Sequence, residues 1–534
     1  MICLTGRVWT GNDGQPWADA VLVDGGRIAA VGRRDDVMPR ARGARVIDAG
    51  EGLIAPGFID AHIHLIAGGF RLTSVPLRDA SSPGELSERL AAFAATRPEG
   101  AWITGGDWDH ERWGGALPSR AWIDAATPRH PVWINRLDGH MALANSAALR
   151  LAGVARDTSD VGGGAIVRDA AGEPTGLLKD MAMDLVQRVV PPASMGDEDR
   201  ALEAAMRHVA SHGVTSVHHM GSIPQAGSWN ELAIFRRARA AGRLRTRISC
   251  AVPLDTWGRL RDLAGSGELG GGDGRGDAWL RAGVVKGFVD GSLGSRTAAF
   301  HEPYEDARDT RGLLVTAPED LREWIAGADS AGLQCAIHAI GDRAIALLLD
   351  AFEAVAARHG ARDRRFRIEH AQHVDPRDIR RIARLPAIAS MQPSHLTEDG
   401  RWAVQAIGPV RAAMTYAGRS LREAGVRLAF GSDWFVMPPV PIAGLAAAVT
   451  RRTADGRHPG GWIPDQRIAL DAAVRASTCD AAHASFEERI KGQLTPGFLA
   501  DIVVLDRDPF ALPPEDIESC RVAMTMVNGE FVYE

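Results

Sequence analysis

The stretch Gly57-Phe58-Ile59-Asp60-Ala61-His62-Ile63-His64 decides the fold, together with Gly431-Ser432-Asp433 near the other end of the chain. The first stretch is a short apolar run that ends in a His-x-His pair. Because side chains at positions i and i+2 of a strand point to the same side, the two imidazoles can close on one metal ion. The second stretch completes another apolar run and places a carboxylate at its end. Metal ligands at two strand ends, one near each end of a long chain, predict a barrel whose first and last strands are neighbours.

The overall composition is that of an ordinary globular protein. The chain has 534 residues, of which 45% are apolar and 24% charged, enough for one large domain with satellites or for two to three domains. The net charge of −6 gives no reason to expect nucleic acid or an anionic membrane as a partner. No apolar run approaches about 18 residues, so we expect no transmembrane helix, and the first residues lack a secretory signal pattern.

The cysteine pattern argues against a disulfide framework and against a zinc knuckle. The five cysteines lie far apart along the chain and form no Cys-x-x-Cys pair. Free thiols are ordinary in a reducing compartment, so we expect a cytoplasmic protein.

Both ends of the chain have the pattern of short β-strands joined by turns. Near one end, Asp24-Gly25-Gly26 separates two apolar runs, which is a hairpin signal. Near the other end, Asn528-Gly529 separates two further apolar runs in the same way. We therefore predict one small β-sandwich domain that residues 1–57 and 476–534 build together, the second segment beginning with a helix.

Residues 58–475 alternate between apolar runs of strand length and helical segments. The predicted strands cover residues 57–64, 214–220, 247–252, 283–289, 333–340, 366–374, 387–393 and 427–433. The predicted helices include residues 198–212, 318–331, 344–359 and 376–385. Eightfold alternation of strand and helix predicts an α/β fold, a (β/α)8 TIM barrel. The first two strands are too far apart for a normal loop, so we predict an inserted subdomain over about residues 68–200 that overhangs the catalytic face.

Most of the predicted strands finish in a polar residue that can bind a metal ion. These residues are His62 and His64 on the first strand, Lys286 on the fourth, His338 on the fifth, His370 on the sixth and Asp433 on the eighth. The carboxyl ends of barrel strands hold the active sites of such folds, and imidazole and carboxylate donors suit zinc. A single histidine such as His338 or His370 also fits a satisfied core residue, and Lys286 also fits an ion pair with Asp290 or Asp433. The joint pattern favours a metal site, because each polar residue falls at a similar height on a different strand.

The order of these motifs resembles the amidohydrolase superfamily of metal-dependent hydrolases. Residues 56–64 resemble its first-strand motif, and Pro496-Gly497-Phe498-Leu499-Ala500-Asp501 resembles a strand of its β-sandwich. Four further phrases resemble the branch that includes N-substituted formamide deformylase, amidohydrolase family 3. They are Asp138-Gly139-His140, Val285-Lys286-Gly287-Phe288, His338-Ala339-Ile340-Gly341-Asp342 and Gly431-Ser432-Asp433. The resemblance spans essentially the whole chain, and no ligand of the pattern is missing.

The resemblance implies a role for each candidate ligand. His62 and His64 would bind the more buried of two zinc ions, and His338 and His370 would bind the more exposed one. Lys286 would be carboxylated on its amine, so that a carbamate bridges the two ions and the cost of a buried ammonium disappears. Some relatives work with one ion, and a Lys286 that stays an ammonium would favour such a one-metal site.

The same resemblance implies hydrolysis by a metal-bound hydroxide. A metal lowers the pKa of bound water toward ~7, which gives hydroxide at neutral pH for attack on a polarised carbonyl. Asp433 would contact the metal, take the proton of the water and pass it to the leaving nitrogen, so that Asp433 and Lys286 are the catalytic residues. Candidate substrate contacts are His140 in the insertion, Arg296 after the fourth strand and Trp434 beside Asp433. Each has a plain alternative, which is a loop cap for His140, an ion pair for Arg296 and packing for Trp434.

The leading functional hypothesis is a metal-dependent hydrolase of non-peptide carbon–nitrogen bonds, in an N-acyl or N-formyl amine or a cyclic amide. An esterase, lactonase or carbamate hydrolase at the same metals is a second enzyme hypothesis, because nucleophile and electrophile are shared. An inactive regulatory homologue is a hypothesis of another class, and the intact ligand set argues against it. We expect a small-molecule substrate and, for this architecture, a homodimer.

Overall fold

A parallel sheet of eight strands forms the centre of the protein, here described from a computed structural model that covers residues 1–222 and 227–534. Barrel strands 1 to 8 are Phe58–Ile63, Val214–His219, Arg247–Pro253, Leu280–Phe288, Gln334–Ala339, Arg367–His370, Ile388–Met391 and Arg427–Phe430. Each strand pairs in parallel with the next in chain order. Parallel strands buried on both faces have near-continuous apolar sequences, which is why these segments could be found in the sequence.

Backbone hydrogen bonds join the first barrel strand to the end of the eighth. The N–H of Asp433 donates to the carbonyl of His62 at 2.7 Å, and the N–H of His64 donates to the carbonyl of Trp434 at 2.7 Å. The sheet is therefore a nearly closed barrel, consistent with the predicted TIM architecture. The two stretches that led to that prediction lie side by side.

The sixth barrel strand is shorter than the sequence predicts. It ends at His370, whereas the apolar pattern continued to residue 374. His370 and Ala371 have φ angles of 74° and 42°, in the left-handed region that a strand cannot continue through. The chain therefore turns directly after the histidine, although the sequence pattern does not change there.

Helices connect the barrel strands and cover the outside of the sheet. The predicted helices are present as Met195–Ala210, Pro318–Ser330, Asp342–His359 and Pro376–Arg384. The other helices of the barrel region are Leu65–Arg71, Ser228–Ala240, Trp257–Gly265, His395–Asp399, Ala403–Ala412, Gly418–Glu423, Pro441–Thr450, Leu470–Ala476 and Cys479–Ala484. One short helix, Arg34–Val37, precedes the barrel.

Strands from both ends of the chain join in one seven-stranded sheet. In spatial order they are Glu530–Tyr533, Val522–Val527, Ile502–Leu505, Arg45–Pro56, Ile2–Trp9, Trp17–Asp24 and Arg27–Gly32. Both predicted tight turns lie in this sheet, between neighbouring antiparallel strands. The description of this region as a β-sandwich, and the boundaries 1–57, 58–475 and 476–534, stay predictions.

A third sheet lies between the first two barrel strands in sequence. Its five strands are Ile103–Trp108, Val132–Arg136, Met141–Ala144, Gly164–Arg168 and Pro174–Asp180. The helices of this segment are Pro83–Ala94, Arg120–Ile123, Ser146–Ala152 and Asp184–Gln187. Asp138 accepts a hydrogen bond from Ser292, just beyond the fourth barrel strand, at 2.5 Å, so this segment contacts the carboxyl ends of the barrel strands. The subdomain limits of about 68–200 stay a prediction.

Membrane-spanning helices were searched for in the described ranges of the chain. No helix there is both long enough and apolar enough to cross a membrane.

Candidate metal centre

Three side chains from three different barrel strand ends converge on one point. His62, His370 and Asp433 are buried, and one donor atom from each lies within 4.8 Å of the others. Nitrogen and oxygen donors in this number are those of a zinc site that keeps a position open for a substrate or water. These three residues form the candidate metal site of the protein.

The histidines are oriented by hydrogen bonds on the far side of their rings. Nδ1 of His62 lies 2.5 Å from Glu369 Oε2, and Nδ1 of His64 lies 2.5 Å from the carbonyl oxygen of Gly221. Nδ1 of His370 bonds the side-chain amide oxygen of Gln392 at 2.8 Å. A partner on one ring nitrogen leaves the other free to ligate, which is the usual support for metal-binding histidines.

Polar atoms that face the centre lack hydrogen-bond partners among the described residues. His62 Nε2 and Asp433 Oδ1 are both buried without one. They lie 3.4 Å apart, and His64 Nε2 lies 3.2 Å from the same carboxylate oxygen. Two ligands held about 2.1 Å from one ion at a tetrahedral angle would be about 3.4 Å apart. The residues therefore fit a bound metal ion, which would satisfy atoms that are otherwise costly to bury.

The other two predicted ligands lie beside this cluster. The ring of His338 is 4.5 Å from the ring of His370, and its Nε2 bonds the Gly291 carbonyl oxygen at 3.0 Å. Lys286 is 1% exposed, with Nζ 4.7 Å from the centre of the Phe288 ring. The structure thus brings all six predicted ligands to one end of the barrel. Their assignment to two ions stays a prediction.

Burial sets the protonation of the histidines in the form that binds metals. Removal from water lowers the pKa of His62 to about 4, an effect that the charge of Lys286 reinforces. Burial likewise holds the pKa values of His338 and His370 well below the ordinary value. Burial would raise the pKa of Asp433, but its combined interactions with His62, His64 and His395 outweigh that effect and hold this pKa below its usual range. Neutral imidazoles and a carboxylate are the forms that metal ions require.

Two of the converging residues have strained backbones. His370 and Asp433 have φ angles of 74° and 58°, which non-glycine residues rarely adopt. Such strain costs roughly 1–3 kcal/mol per residue and is concentrated at functional sites. The strained residues here are the two that the barrel contributes just where its sixth and eighth strands stop.

A buried carboxylate behind His62 was not identified from the sequence. Glu369 contacts His62 through Oε2 and accepts a hydrogen bond from Arg367 Nε through Oε1 at 2.6 Å. Both residues are almost completely buried. The signal was present in Arg367-Ile368-Glu369-His370, because two charged residues at i and i+2 of a central strand must share one face and pair.

The predicted substrate contact His140 is held by a second missed residue, Asp180. Nδ1 of His140 lies 2.6 Å from Asp180 Oδ1, and both side chains are buried. His140 lines a small cavity of about 60 Å3 at the metal centre and also a neighbouring cavity of about 460 Å3. Asp180 has a φ angle of 45°, a further strained position. The hydrogen bond leaves Nε2 of His140 as the atom available to a bound molecule.

A further histidine at the centre follows the seventh barrel strand. His395 lines the small cavity, and its Nε2 lies 3.9 Å from Asp433 Oδ2. His395 lies beyond the apolar run, at the start of a helix, so the strand pattern does not indicate it as a ligand.

The two remaining predicted substrate contacts lie outside the lining of both cavities. Arg296 forms an ion pair with Asp306 at 2.6 Å and stacks on the ring of Trp402. Trp434 is 5% exposed and packs against His208 and over Gly68, where a Cβ atom would come within 2.4 Å of the indole. Arg296 thus has the ion pair, and Trp434 the packing, that the sequence offers as alternatives to substrate contact. Their roles in substrate binding stay predictions.

The comparison with known families agrees with this geometry. A model described as "Amidohydrolase family" matches residues 45–533, which is nearly the whole chain. The chain belongs to the amidohydrolase family. The resemblance found in the motifs is therefore confirmed, and the converging histidines and carboxylate lie where this amidohydrolase would hold a metal.

Individual relatives cover almost the full length of this amidohydrolase. The protein LONG AFTER FAR-RED 3 of Arabidopsis thaliana is 40% identical over 540 residues, which cover 100% of this chain and 91% of that protein. The N-substituted formamide deformylase of Arthrobacter pascens is 30% identical, with 97% of this chain and 95% of the relative covered. An uncharacterized metal-dependent hydrolase from Pyrococcus horikoshii is similar in structure, with a TM-score of 0.77, 28% identity and coverage of 96% and 99%.

Proposed function

We propose that this amidohydrolase cleaves a non-peptide carbon–nitrogen bond, in an N-acyl or N-formyl amine or a cyclic amide, with zinc as its metal. The observation that carries the proposal is the convergence of His62, His370 and Asp433, whose buried donor atoms face one point. Membership of the amidohydrolase family supports the reaction type, and the deformylase relative at 30% identity supports the bond type.

The donor set divides naturally into two groups. His62, His64 and Asp433 would hold one ion, and His338 and His370 would hold a second. Bound zinc would supply a Lewis acid and a hydroxide nucleophile at neutral pH. The second ion is supported by the rings of His338 and His370, which lie 4.5 Å apart beside the first group. His370 also converges with His62 and Asp433, so it would lie between the two ions.

Lys286 would bridge the two groups as a carbamate. Its amine must be neutral to add to carbon dioxide, and the addition releases one proton to leave a carbamate anion. Burial lowers the pKa of Lys286 to about 8, which raises the neutral fraction near neutral pH. The product is an anion, so the burial of a positive charge is also avoided.

Proton transfer in the proposal depends on Asp433 and His140. Asp433 keeps a carboxylate oxygen free of hydrogen bonds at the centre, so it can accept a proton from the attacking water and deliver it to the leaving nitrogen. Amide cleavage needs this delivery because an amine anion is a poor leaving group. His140, fixed by Asp180, would donate a hydrogen bond from Nε2 to the substrate carbonyl.

A substrate panel combined with metal analysis tests the proposal. We expect zinc in the purified protein and turnover of N-formylbenzylamine, N-acetylbenzylamine or dihydrouracil, with less turnover of phenyl acetate and none of a dipeptide. His62→Ala should lose most zinc and all turnover, because it removes one ligand of the centre. His458→Ala is the matched control, since this histidine lines neither cavity. A zinc-loaded enzyme that cleaves esters alone would overturn the proposal.

A further inference from the structure

The larger cavity offers more space than the reacting bond needs. It encloses about 460 Å3, against about 60 Å3 for the cavity at the metal centre. His140 lines both, and Phe288, which lines the larger one, has its ring 5.0 Å from the ring of His338. The two cavities are therefore neighbours that share His140, and a molecule whose carbonyl lies at the metal centre would extend a substituent past His140 to reach the larger one.

The walls of the larger cavity are mainly aromatic and apolar. They include Phe288, Met183 and two indoles, Trp229 and Trp324. Trp229 is fixed by a hydrogen bond from Nε1 to Thr256 Oγ1 at 3.0 Å. Arg259 stacks on Trp229 at 3.8 Å but does not line the cavity. Flat aromatic walls of this kind favour a flat or apolar substituent.

The charged side chains in this lining are all acidic. Asp184, Asp255 and Asp320 come from three separate connections after the barrel strands. Among the described residues none has an ion-pair partner within 4.0 Å, and the cation whose charge acts on Asp184 is Arg188, which lies outside the lining. Asp320 lies one helical turn before Trp324, so carboxylate and indole share one face. The described lining contains no lysine or arginine. An aromatic cavity with unpaired carboxylates attracts a positive charge.

A fourth carboxylate in the same lining is buried, and only one of its two oxygens has a hydrogen-bond partner among the described residues. The side chain of Asp180 is 2% exposed, and its Oδ1 lies 2.6 Å from Nδ1 of His140. Its Oδ2 is buried and has no hydrogen-bond partner among the described residues. Leaving such an oxygen without a donor costs about 1–3 kcal/mol, or more for a charged group. A donor from a bound molecule would remove that cost, so this atom points independently to a ligand that carries N–H groups.

We infer that the substrate carries a cationic aromatic substituent, which occupies the larger cavity while the scissile bond lies at the metal centre. This inference rests on the proposed function and adds the substrate class to it. The aromatic part packs against Phe288, Trp229 and Trp324. The ammonium or guanidinium end lies among Asp184, Asp255 and Asp320.

A charge series on one scaffold tests the inference. The substrates are N-formylbenzylamines that carry a para aminomethyl, ethyl or carboxymethyl group, which are cationic, neutral and anionic at pH 7. We expect kcat/KM to fall in that order. In a triple variant, Asp184→Asn with Asp255→Asn and Asp320→Asn, the preference for the cation over the neutral substrate should fall by about tenfold. Each carboxylate contributes about two- to threefold, because Asp184 is half-buried and the other two are exposed. Asp36→Asn, an exposed carboxylate outside the lining, is the matched control.

Ligand binding without turnover separates this inference from the proposed function. Benzyltrimethylammonium, benzyl alcohol and benzenesulfonate are titrated against tryptophan fluorescence. We expect the cation to bind most tightly and to lose about tenfold in affinity in the triple variant, while benzyl alcohol changes less than twofold. If the cation binds in this way but no amide is cleaved, the proposed function fails and the ligand class stands. Amide cleavage with equal rates for cationic and neutral substrates, or an unchanged preference in the triple variant, overturns the inference.

Discussion

Replacement of Glu369 by glutamine is the sharpest test of how the metal centre is built. The carboxylate is completely buried and lies between His62, at 2.5 Å, and Arg367, at 2.6 Å. Glu369→Gln keeps the shape and removes the charge. Burial raises the pKa of Glu369, but its combined interactions with Arg367, His62 and Lys286 outweigh that effect and hold this pKa below its usual range, so the group is ionised in the folded protein.

Two separate losses follow from that single change. The guanidinium of Arg367 becomes a buried charge without its counter-ion, which costs about 3–5 kcal/mol of folding free energy. His62 loses the anionic acceptor that orients its ring and increases its basicity and keeps at most a weaker amide oxygen, which lowers metal affinity by about 10–100-fold, or about 1.4–2.7 kcal/mol. The first loss concerns the metal-free protein, and the second concerns the bound metal.

A double variant separates the two losses. Replacing a buried ion pair by apolar groups of similar size is often neutral, so Arg367→Met added to Glu369→Gln should restore much of the stability. Metal affinity should stay low, because His62 still lacks its carboxylate. Glu353→Gln is the control, since Glu353 forms a partly exposed ion pair with Arg381 that is worth at most about 1 kcal/mol.

Chelator competition for zinc and urea unfolding of the metal-free protein measure these quantities. Wild-type zinc affinity in Glu369→Gln would refute the role given to the carboxylate in orienting His62. A double variant that recovers both stability and affinity would show that the loss of affinity came from a disturbed fold and not from the missing negative charge beside His62.

Three further predictions concern Lys286, Asp433 and His373. Lys286→Ala should be inactive and partly rescued by added propionate, measured as turnover and zinc content; an uncarboxylated amine in a crystal structure of the zinc enzyme would contradict the carbamate. Asp433→Asn should keep most of its zinc while kcat falls by about 10²–10⁴, and near-native kcat would assign proton transfer to another group. Burial lowers the pKa of His373 from 6.5 to about 3, so its contribution to stability is complete above pH 6.5 and declines as the pH falls toward 3. His373→Gln should make urea stability less dependent on pH in that window; an unchanged dependence would show that other groups set it.

The barrel could be predicted because its signals are local. Parallel strands covered on both faces need continuous apolar runs, and the residue that follows each run is carried to the same end of the barrel. His62, Lys286 and His338 could therefore be found by their positions alone. The end of the sixth strand could not be predicted. His370 turns the chain with a left-handed φ angle, and histidine usually avoids that region, so the sequence gives no sign of the turn.

The partners of the predicted residues depend on contacts that lie far apart in sequence. Glu369 meets His62 across 307 positions, and Asp180 meets His140 across 40. Spacing and periodicity carry no information on such pairs, so the candidate metal ligands could be predicted while the groups that orient them could not. The local sign of such a pair is a charged residue inside a buried strand. Glu369 is an example, because burying its charge is strongly destabilising unless an opposite charge or a hydrogen-bond donor lies beside it.

The predicted substrate contacts lie in different surroundings, because a position next to a motif residue does not fix the direction of a side chain. Trp434 and Arg296 adjoin motif residues in the sequence, yet consecutive side chains leave a strand end on opposite sides. Trp434 turns outward over Gly68, whereas Asp433, one residue earlier, turns toward the metal centre. His140 reaches the centre from a different sheet, and the hydrogen bond to Asp180 fixes its ring there. Proximity to a ligand along the chain is therefore a weak guide to substrate contact, and a side chain held at the junction of two cavities is a stronger one.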